Sequence, residues 1–484
     1  MLFNTFEFAV FFVLVLGVYY CLTRRAQNVM LLGASYLFYG WWDWRFCGLL
    51  LASTLVDYLV GRVMAAQDRD TLRGRRVRRA CLGVSLTVNL GLLAFFKYFG
   101  FFVESAAALL ESVGLQPNMP LLTVLLPVGI SFYTFQTLSY TIDVYRGQRG
   151  AVKDPVTFGL YVAYFPQLVA GPIERSTRLI PQFERDRVVD GERLAGGVWL
   201  ILLGLFKKMA IADAVAPYVD EAFAAGQSGD WLFLLCGAWL FALQIYGDFS
   251  GYTDMARGVS RLLGIELGVN FRQPYFASSI TEFWRRWHIS LSGWLRDYLY
   301  IPLGGSRGGG RWGWKTYRNL LLTMLLGGLW HGAAWTFIIW GGLHGLLLAA
   351  HKAWLRGKQP GYHDPLASVG SFLKRLVFTA ITFHLVVLGW VFFRAPDLTT
   401  AWAYVEGIVT LRDGEGYVGT MGLGRVAFFV GLVLLIDVPQ ALGRRHEVAL
   451  AWPWPVRGAL AGVMLILICL LGPSDDTPFL YFQF

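Results

Sequence analysis

Apolar runs of roughly 17 to 25 residues, each long enough to cross a bilayer as a helix, recur along the whole of this 484-residue chain. They fall near 5–22, 27–42, 46–65, 80–110, 121–143, 192–217, 231–247, 317–332, 334–351, 371–395, 425–441 and 456–472. Such a chain has little choice of fold, because helices satisfy every backbone N–H and C=O internally where there is no water to do so. Only 15% of the residues are charged and mean hydropathy is +0.49, against about 25% charged in a soluble domain. The expectation is an all-α, polytopic integral membrane protein with about 11–12 transmembrane helices plus re-entrant and interfacial helices. It forms a single domain over residues 1–484. Segment 156–172, shorter and carrying Pro166, Gly171 and Pro172, reads as re-entrant.

The formal net charge is +10, with basic clusters at Arg24-Arg25, Arg73 to Arg79 and Arg444-Arg445. Each cluster flanks an apolar span, as the positive-inside rule expects of cytoplasmic loops. No soluble basic domain exists to make a nucleic-acid surface. A tight turn over Trp42 to Arg45 puts the first two clusters on one side, so the N-terminus lies outside. Continuing the count places loops 218–230 and 396–424 and the tail 473–484 outside, and loop 441–447 inside. The opening Met1-Leu2-Phe3-Asn4 lacks the basic region of a signal peptide, so the first span is read as a retained helix. The five cysteines make no C-x-x-C pair, so neither a disulfide framework nor a zinc site is indicated.

Segment 248–310 is too polar to span and too aromatic for a solvated loop. Within it, residues 279–298 read as one amphipathic interfacial helix, with Ser279 or Thr281 as cap and Glu282 in the first turn. Trp284, Trp287, His288, Leu291, Leu295 and Tyr298 recur at helical spacing and form one buried face. Arg285, Arg286 and Arg296 fall mainly elsewhere. A glycine-rich connection then leads to the span that ends Gly328-Leu329-Trp330-His331-Gly332. An ionisable residue at that depth is a functional-site hypothesis by default, and the bland alternative is a satisfied core histidine. A neutral imidazole in an apolar site can take a proton from a hydroxyl. Segment 248–351 therefore carries two candidate catalytic histidines, His288 and His331.

These blocks, with Phe38-Tyr39-Gly40-Trp41, the 127–136 run Pro-Val-Gly-Ile-Ser-Phe-Tyr-Thr-Phe-Gln, the 165–173 run Phe-Pro-Gln-Leu-Val-Ala-Gly-Pro-Ile and the 246–254 run Tyr-Gly-Asp-Phe-Ser-Gly-Tyr-Thr-Asp, resemble the membrane-bound O-acyltransferase superfamily. The likeness is to its bacterial polysaccharide branch, and within it to the integral-membrane subunit of alginate O-acetylation. The resemblance implies acyl transfer, acetyl above all, from a cytoplasmic thioester to an exported polysaccharide such as alginate or cellulose. It implies His331 as catalytic base and His288 as the second essential histidine. It also implies acetyl-CoA as donor substrate, no bound cofactor, and location in a bacterial inner membrane with both termini periplasmic. An extracytoplasmic acetyltransferase or relay subunit is the implied partner, with the aromatic 473–484 tail as its docking strip; an interfacial anchor is the other reading of that tail.

Several residues carry two readings each. Tyr246, Asp248, Tyr252 and Asp254 either polarise a histidine and bind acceptor hydroxyls, or mark a polar helix break. Trp284, Trp287, Trp330 and Gln136 join them as candidate tunnel lining, with Tyr140, Gln167 and Glu174 ranked lower. Arg285, Arg286 and Arg296, with Arg307 and Arg311 behind them, either hold the phosphates of coenzyme A or follow from topology and lipid contact. His344 and His351 share a helical face but have no third metal ligand, so no metal site is expected. His363, His384 and His446 read as packing or loop residues. Gly327, Gly328 and Gly332 serve either substrate approach or close helix packing. Two rivals stand beside acetyl transfer: D-alanyl transfer from a carrier-protein thioester to teichoic acid, and transport with His331 in a proton relay. Peptidoglycan is a further candidate acceptor.

Overall fold

The computed structural model describes residues 1–116, 125–307, 313–355, 368–414, 422–473 and 477–480. Helix accounts for nearly all regular structure, with no β-strand among the described residues. Among the described residues, seven helices are long and apolar enough to cross a membrane: Arg45–Ala65, Leu72–Ser112, Gly191–Ala224, Trp231–Leu262, Val369–Arg394, Leu423–Gly443 and Trp454–Leu471. Other expected spans form helices that are shorter or more polar, among them Phe6–Tyr19, Arg24–Gly40, Ile130–Arg146, Trp314–His331 and Trp335–Trp354. The expected re-entrant segment is a pair of short buried helices, Pro155–Ala163 and Phe165–Leu168. Helix starts follow their capping chemistry. Thr71, Asp154, Ser368 and Asp397 each accept a hydrogen bond from a first-turn N–H, a donor that has no partner inside the helix.

The chain divides into two compact units. One comprises Met1–Val198 and Ala256–Gly268, the other Trp199–Met255 and Val269–Phe484. In the first, buried Asp57 on Arg45–Ala65 accepts from the Ser85 hydroxyl, from Asn89 at 2.8 Å and from Thr141 at 3.0 Å. One carboxylate thereby joins three helices, the kind of polar bond that holds helices together where lipid removes the hydrophobic drive. Buried Arg78 likewise donates to the Met64, Val144 and Tyr145 carbonyls. This unit also holds a cavity of about 690 Å³ lined by Arg24, Arg25, Arg149 and Lys153, among others.

The second unit takes residues 231–255 of the helix Trp231–Leu262, which is 32 residues and so about 48 Å long. Tyr246, Asp248, Tyr252 and Asp254 all lie inside this one helix, so the helix break that was one of their two readings is absent. Their polarity is met by charge instead. The Gly191–Ala224 span contains a π-helical stretch, Phe206–Asp213, which carries Lys207 and Lys208 inward. Lys207 pairs with Asp254 at 2.8 Å, and Lys208 with Asp248 at 2.8 Å and Asp213 at 2.7 Å. The helices meet backbone to backbone there, because a Cβ on Gly204 or Gly251 would fall within 3 Å of the other glycine's carbonyl oxygen.

Candidate active site

The expected single helix over 279–298 is two short ones, Ile280–Arg286 and Ile289–Leu295, followed by a π-helical turn, Arg296–Tyr300. The break is at His288, whose backbone is left-handed at φ 42°, a conformation uncommon for a residue with a Cβ. Hydrogen bonding holds it there. Ile289 N–H donates to the Asn270 carbonyl at 2.9 Å, while Ser290 N–H and hydroxyl donate to the Asn270 side chain at 3.1 and 2.9 Å. Arg272 N–H donates to the Arg286 carbonyl at 2.9 Å. The backbone groups released by the break are thus taken up by segment 270–272. Ser279 is the cap, accepting from Glu282 N–H, whereas Thr281 bonds His351 Nδ1 at 2.8 Å.

The expected buried face survives the break. Trp284, Trp287, His288, Leu291 and Leu295 are buried and Tyr298 half-buried, while Arg285 and Arg296 are exposed. His288 has no exposed surface, and burial pushes its imidazole down to about 3, so it is neutral at ordinary pH. Phe249 packs against its ring edge-on at 4.7 Å, with Trp330 at 5.9 Å.

His331 is the last residue of Trp314–His331 and sits at a junction, not within the run of a span; Gly332 is extended and Trp335–Trp354 starts soon after. The two helices pack closely because Gly328 faces the Phe337 carbonyl and Gly341, and Gly332 faces the Phe337 ring. Close packing is therefore the role of Gly328 and Gly332, and it fixes the turn that presents His331. The ring is buried among Trp330 and Trp340, both at 5.0 Å, and Phe393 at 5.4 Å. Its centroid lies 6.1 Å from that of His288. Two hydrogen bonds of about 2.8 Å to one oxygen, bent at that oxygen, bridge imidazoles at this separation.

The structure brings His288, His331, Trp330, Trp284 and Trp287 into one aromatic cluster. The four polar residues of Trp231–Leu262 are engaged elsewhere. Tyr246 donates to Asp437 at 2.9 Å; Asp254 holds Lys207 and His446 Nδ1 at 2.9 Å; and His446 reaches the Phe271 carbonyl through Nε2. Asp248 accepts from Leu480 N–H at 2.9 Å, and Tyr252 packs on Phe479 at 4.9 Å. Phe479 and Leu480 are buried, so this part of the tail is folded into the protein and is not an exposed docking strip. Residues 474–476 and 481–484 of the tail, Arg311 and His363 lie outside the described residues. Gln136 belongs to the other unit, where its amide donates to the Tyr161 carbonyl. Arg286 is paired with Glu282 at 2.6 Å and Arg296 with Asp297 at 2.8 Å. No cluster able to hold a metal occurs among the described residues.

Sequence reasoning passed over Lys207, Lys208, Asp213 and Asp437. The signal was present, as charges inside spans otherwise apolar enough to cross a membrane. It also set His344 aside for lack of a metal partner.

Residues 148–362 match the membrane-bound O-acyltransferase family. The chain is 40% identical to the probable alginate O-acetylase AlgI of Pseudomonas putida over 99% of both chains. It is 45% identical to that of Azotobacter vinelandii over 85% of this chain and 78% of the relative. It is 36% identical to the peptidoglycan O-acetyltransferase of Helicobacter pylori over 85% of this chain and 80% of the relative.

Proposed function

This chain belongs to the membrane-bound O-acyltransferase family, and on that premise we propose that it moves an acetyl group from a cytoplasmic thioester to a hydroxyl on the path to an exported polysaccharide of the alginate type. It is a multi-pass membrane protein and an O-acyltransferase acting toward a polysaccharide. The donor, the residue roles and the setting belong to the proposal. The setting is a bacterial inner membrane with both termini periplasmic, and an extracytoplasmic acetyltransferase completes the transfer.

The observation that carries the reading is the buried pair His288 and His331, 6.1 Å apart in an aromatic shell. His331 takes the proton as the acceptor oxygen attacks the thioester carbon. The carbon–sulfur bond then breaks, and the proton passes to the departing thiolate. Neutral His288 reaches the same oxygen and orients it. Thioesters are already activated, so positioning and proton transfer supply the rate.

The test is thiol release from acetyl-CoA by the purified chain in detergent, with and without its polysaccharide and partner. His331→Ala is expected to lower turnover by about 10²-fold or more without changing the melting temperature by more than a few degrees. Unchanged turnover in His331→Ala would remove the assigned base. No thiol release by the wild type under any of these conditions would remove acetyl-CoA as donor.

A further inference from the structure

The cavity of the first unit, about 690 Å³, falls within the range of about 300–1,000 Å³ that small-molecule sites occupy. Its charge is one-sided. Arg24, Arg25, Arg149 and Lys153 line it, against the carboxylates of Asp154 and Glu184. Arg24 donates to the Glu184 carbonyl and reaches a carboxylate only at 3.7 Å, that of Asp186, whose side chain is 91% exposed. Arg149 donates to the Ser176 carbonyl, while its buried Nε meets no hydrogen-bond partner among the described residues. Arg25 and Lys153 are exposed and form no ion pair among the described residues. Asp154 is engaged as a helix cap, one of its oxygens accepting from the Thr157 N–H at 3.0 Å and hydroxyl at 2.6 Å. The four cations are therefore left without matching negative charge.

Backbone charge at the cavity has the same sign. Arg24–Gly40, 17 residues long, begins there with two arginines, has no acidic residue in its first turn, and receives no cap from the Thr23 side chain. Pro155–Ala163 also begins there, its cap Asp154 and its third residue Thr157 both lying on the lining. A helix start carries about half a positive charge, and its first N–H groups have no partner inside the helix. Arginine is favourable at the other end. Topology explains why these residues lie on one side of a membrane; it does not explain why they surround a cavity at the unfavourable end of a helix. An anion in the cavity turns each of these repulsions into an attraction.

We propose that this cavity is a phosphate-binding site. Phosphate oxygens suit both kinds of donor present: guanidinium groups, which pair with them bidentately, and the free N–H groups of a helix start. Val152 and Phe183 add apolar wall for the rest of a phosphate-bearing molecule. On the loop-charge reading Arg24 and Arg25 face the cytoplasm, where phosphate has two sources. One is the headgroup of an anionic lipid in that leaflet, the other a soluble phosphorylated metabolite. The lining residues all belong to the first unit, whereas His288 and His331 belong to the second. The site thus stands independently of the acyl-transfer reading, and its occupancy stabilises the folded chain by mass action.

The test is the melting temperature of the purified full chain in a neutral detergent at fixed ionic strength. Two probes are added: pyrophosphate, compared with chloride, and phosphatidylglycerol, compared with phosphatidylcholine. At least one, at saturation, is expected to raise the melting temperature by about 5 °C. Arg25→Gln combined with Lys153→Gln should abolish the rise. Arg75→Gln combined with Arg76→Gln removes the same charge from exposed positions off the lining, and should leave the rise intact. Arg25→Glu should raise the melting temperature with no probe present, because it places the favourable sign at the helix start, and should abolish the response to the probe. A rise with pyrophosphate alone assigns the soluble source; a rise with phosphatidylglycerol, with or without pyrophosphate, assigns the lipid. No rise with either probe overturns the proposal and leaves these arginines to topology. A rise lost equally in the Arg75 and Arg76 variant overturns it too, as an effect of total charge.

Discussion

At the scale of single residues, His288 combines two demands that a substitution can separate. Its backbone is left-handed and its side chain is a buried neutral imidazole. Alanine would pay about 1–2 kcal/mol for the backbone alone, which confuses folding with function, whereas asparagine tolerates that conformation. His288→Asn is therefore expected to fold, to stay within about 1 kcal/mol of wild type at neutral pH, and to lose about 10²-fold in kcat. The imidazole's ordinary value is about 6.5 and burial takes it to about 3. The unfolded chain thus binds the extra proton between those values. The contribution to stability is complete above about pH 6.5 and is lost as pH falls toward 3, with a slope of about 1.4 kcal/mol per unit. Thermal melts between pH 6 and pH 4 should accordingly show a shallower acid loss in His288→Asn than in wild type. Equal slopes would mean that His288 is not the proton-linked group. That His288 points inward was legible from the spacing of its tryptophans. The helix break beneath it was not, because it depends on Asn270, 18 positions earlier, accepting the backbone and side-chain donors that follow His288.

At the scale of elements, the second unit shows charge doing what the sequence reading gave to a helix break. Tyr246, Asp248, Tyr252 and Asp254 were visible as a polar interruption, and an interruption in one strand of text reads as a loop. The lysines that meet the two carboxylates lie some 40 residues earlier, in a span hydrophobic enough to hide them. Only the π-helical stretch Phe206–Asp213, by widening the turn, sends consecutive Lys207 and Lys208 to separate carboxylates. Removing one member of a buried pair costs about 3–5 kcal/mol, whereas removing both can be nearly neutral. Lys207→Met should lower the melting temperature in detergent markedly, at a cost of about 3 kcal/mol. Adding Asp254→Leu should recover a large part of it, because no uncompensated carboxylate is left beside His446. Strictly additive losses in the double variant would show that the two side chains are not coupled. The packing of Trp314–His331 on Trp335–Trp354 was more legible, since close helix packing was one reading of Gly328 and Gly332, to which the structure adds Gly341.

At the scale of the whole molecule, hydropathy announced a polytopic helical chain, and among the described residues seven of its helices are long and apolar enough to cross unaided. Other helices, such as Ile130–Arg146 and Trp314–His331, are more polar and bury Gln136 and His331 among other polar residues. Function and apolarity compete for the same helix. Loop charge is the remaining guide to orientation, and it makes a commitment that geometry alone does not. The arginine run 73–79 is placed inside and loop 396–424 outside. Two exposed positions test this, Asp70 beside the arginines and Thr399 in the first turn of Leu398–Val409. With the five native cysteines replaced, Thr399→Cys in intact spheroplasts is expected to react with a membrane-impermeant maleimide, and Asp70→Cys only after the membrane is permeabilised. The reverse pattern would invert the molecule. The ends of Trp335–Trp354 at Lys352 and of Val369–Arg394 at Arg375 would then face away from the cytoplasm, and a cytoplasmic thioester could not approach from them. Topology and the direction of donor entry are thus a single physical claim, and labelling these two cysteines decides it before any substrate is added.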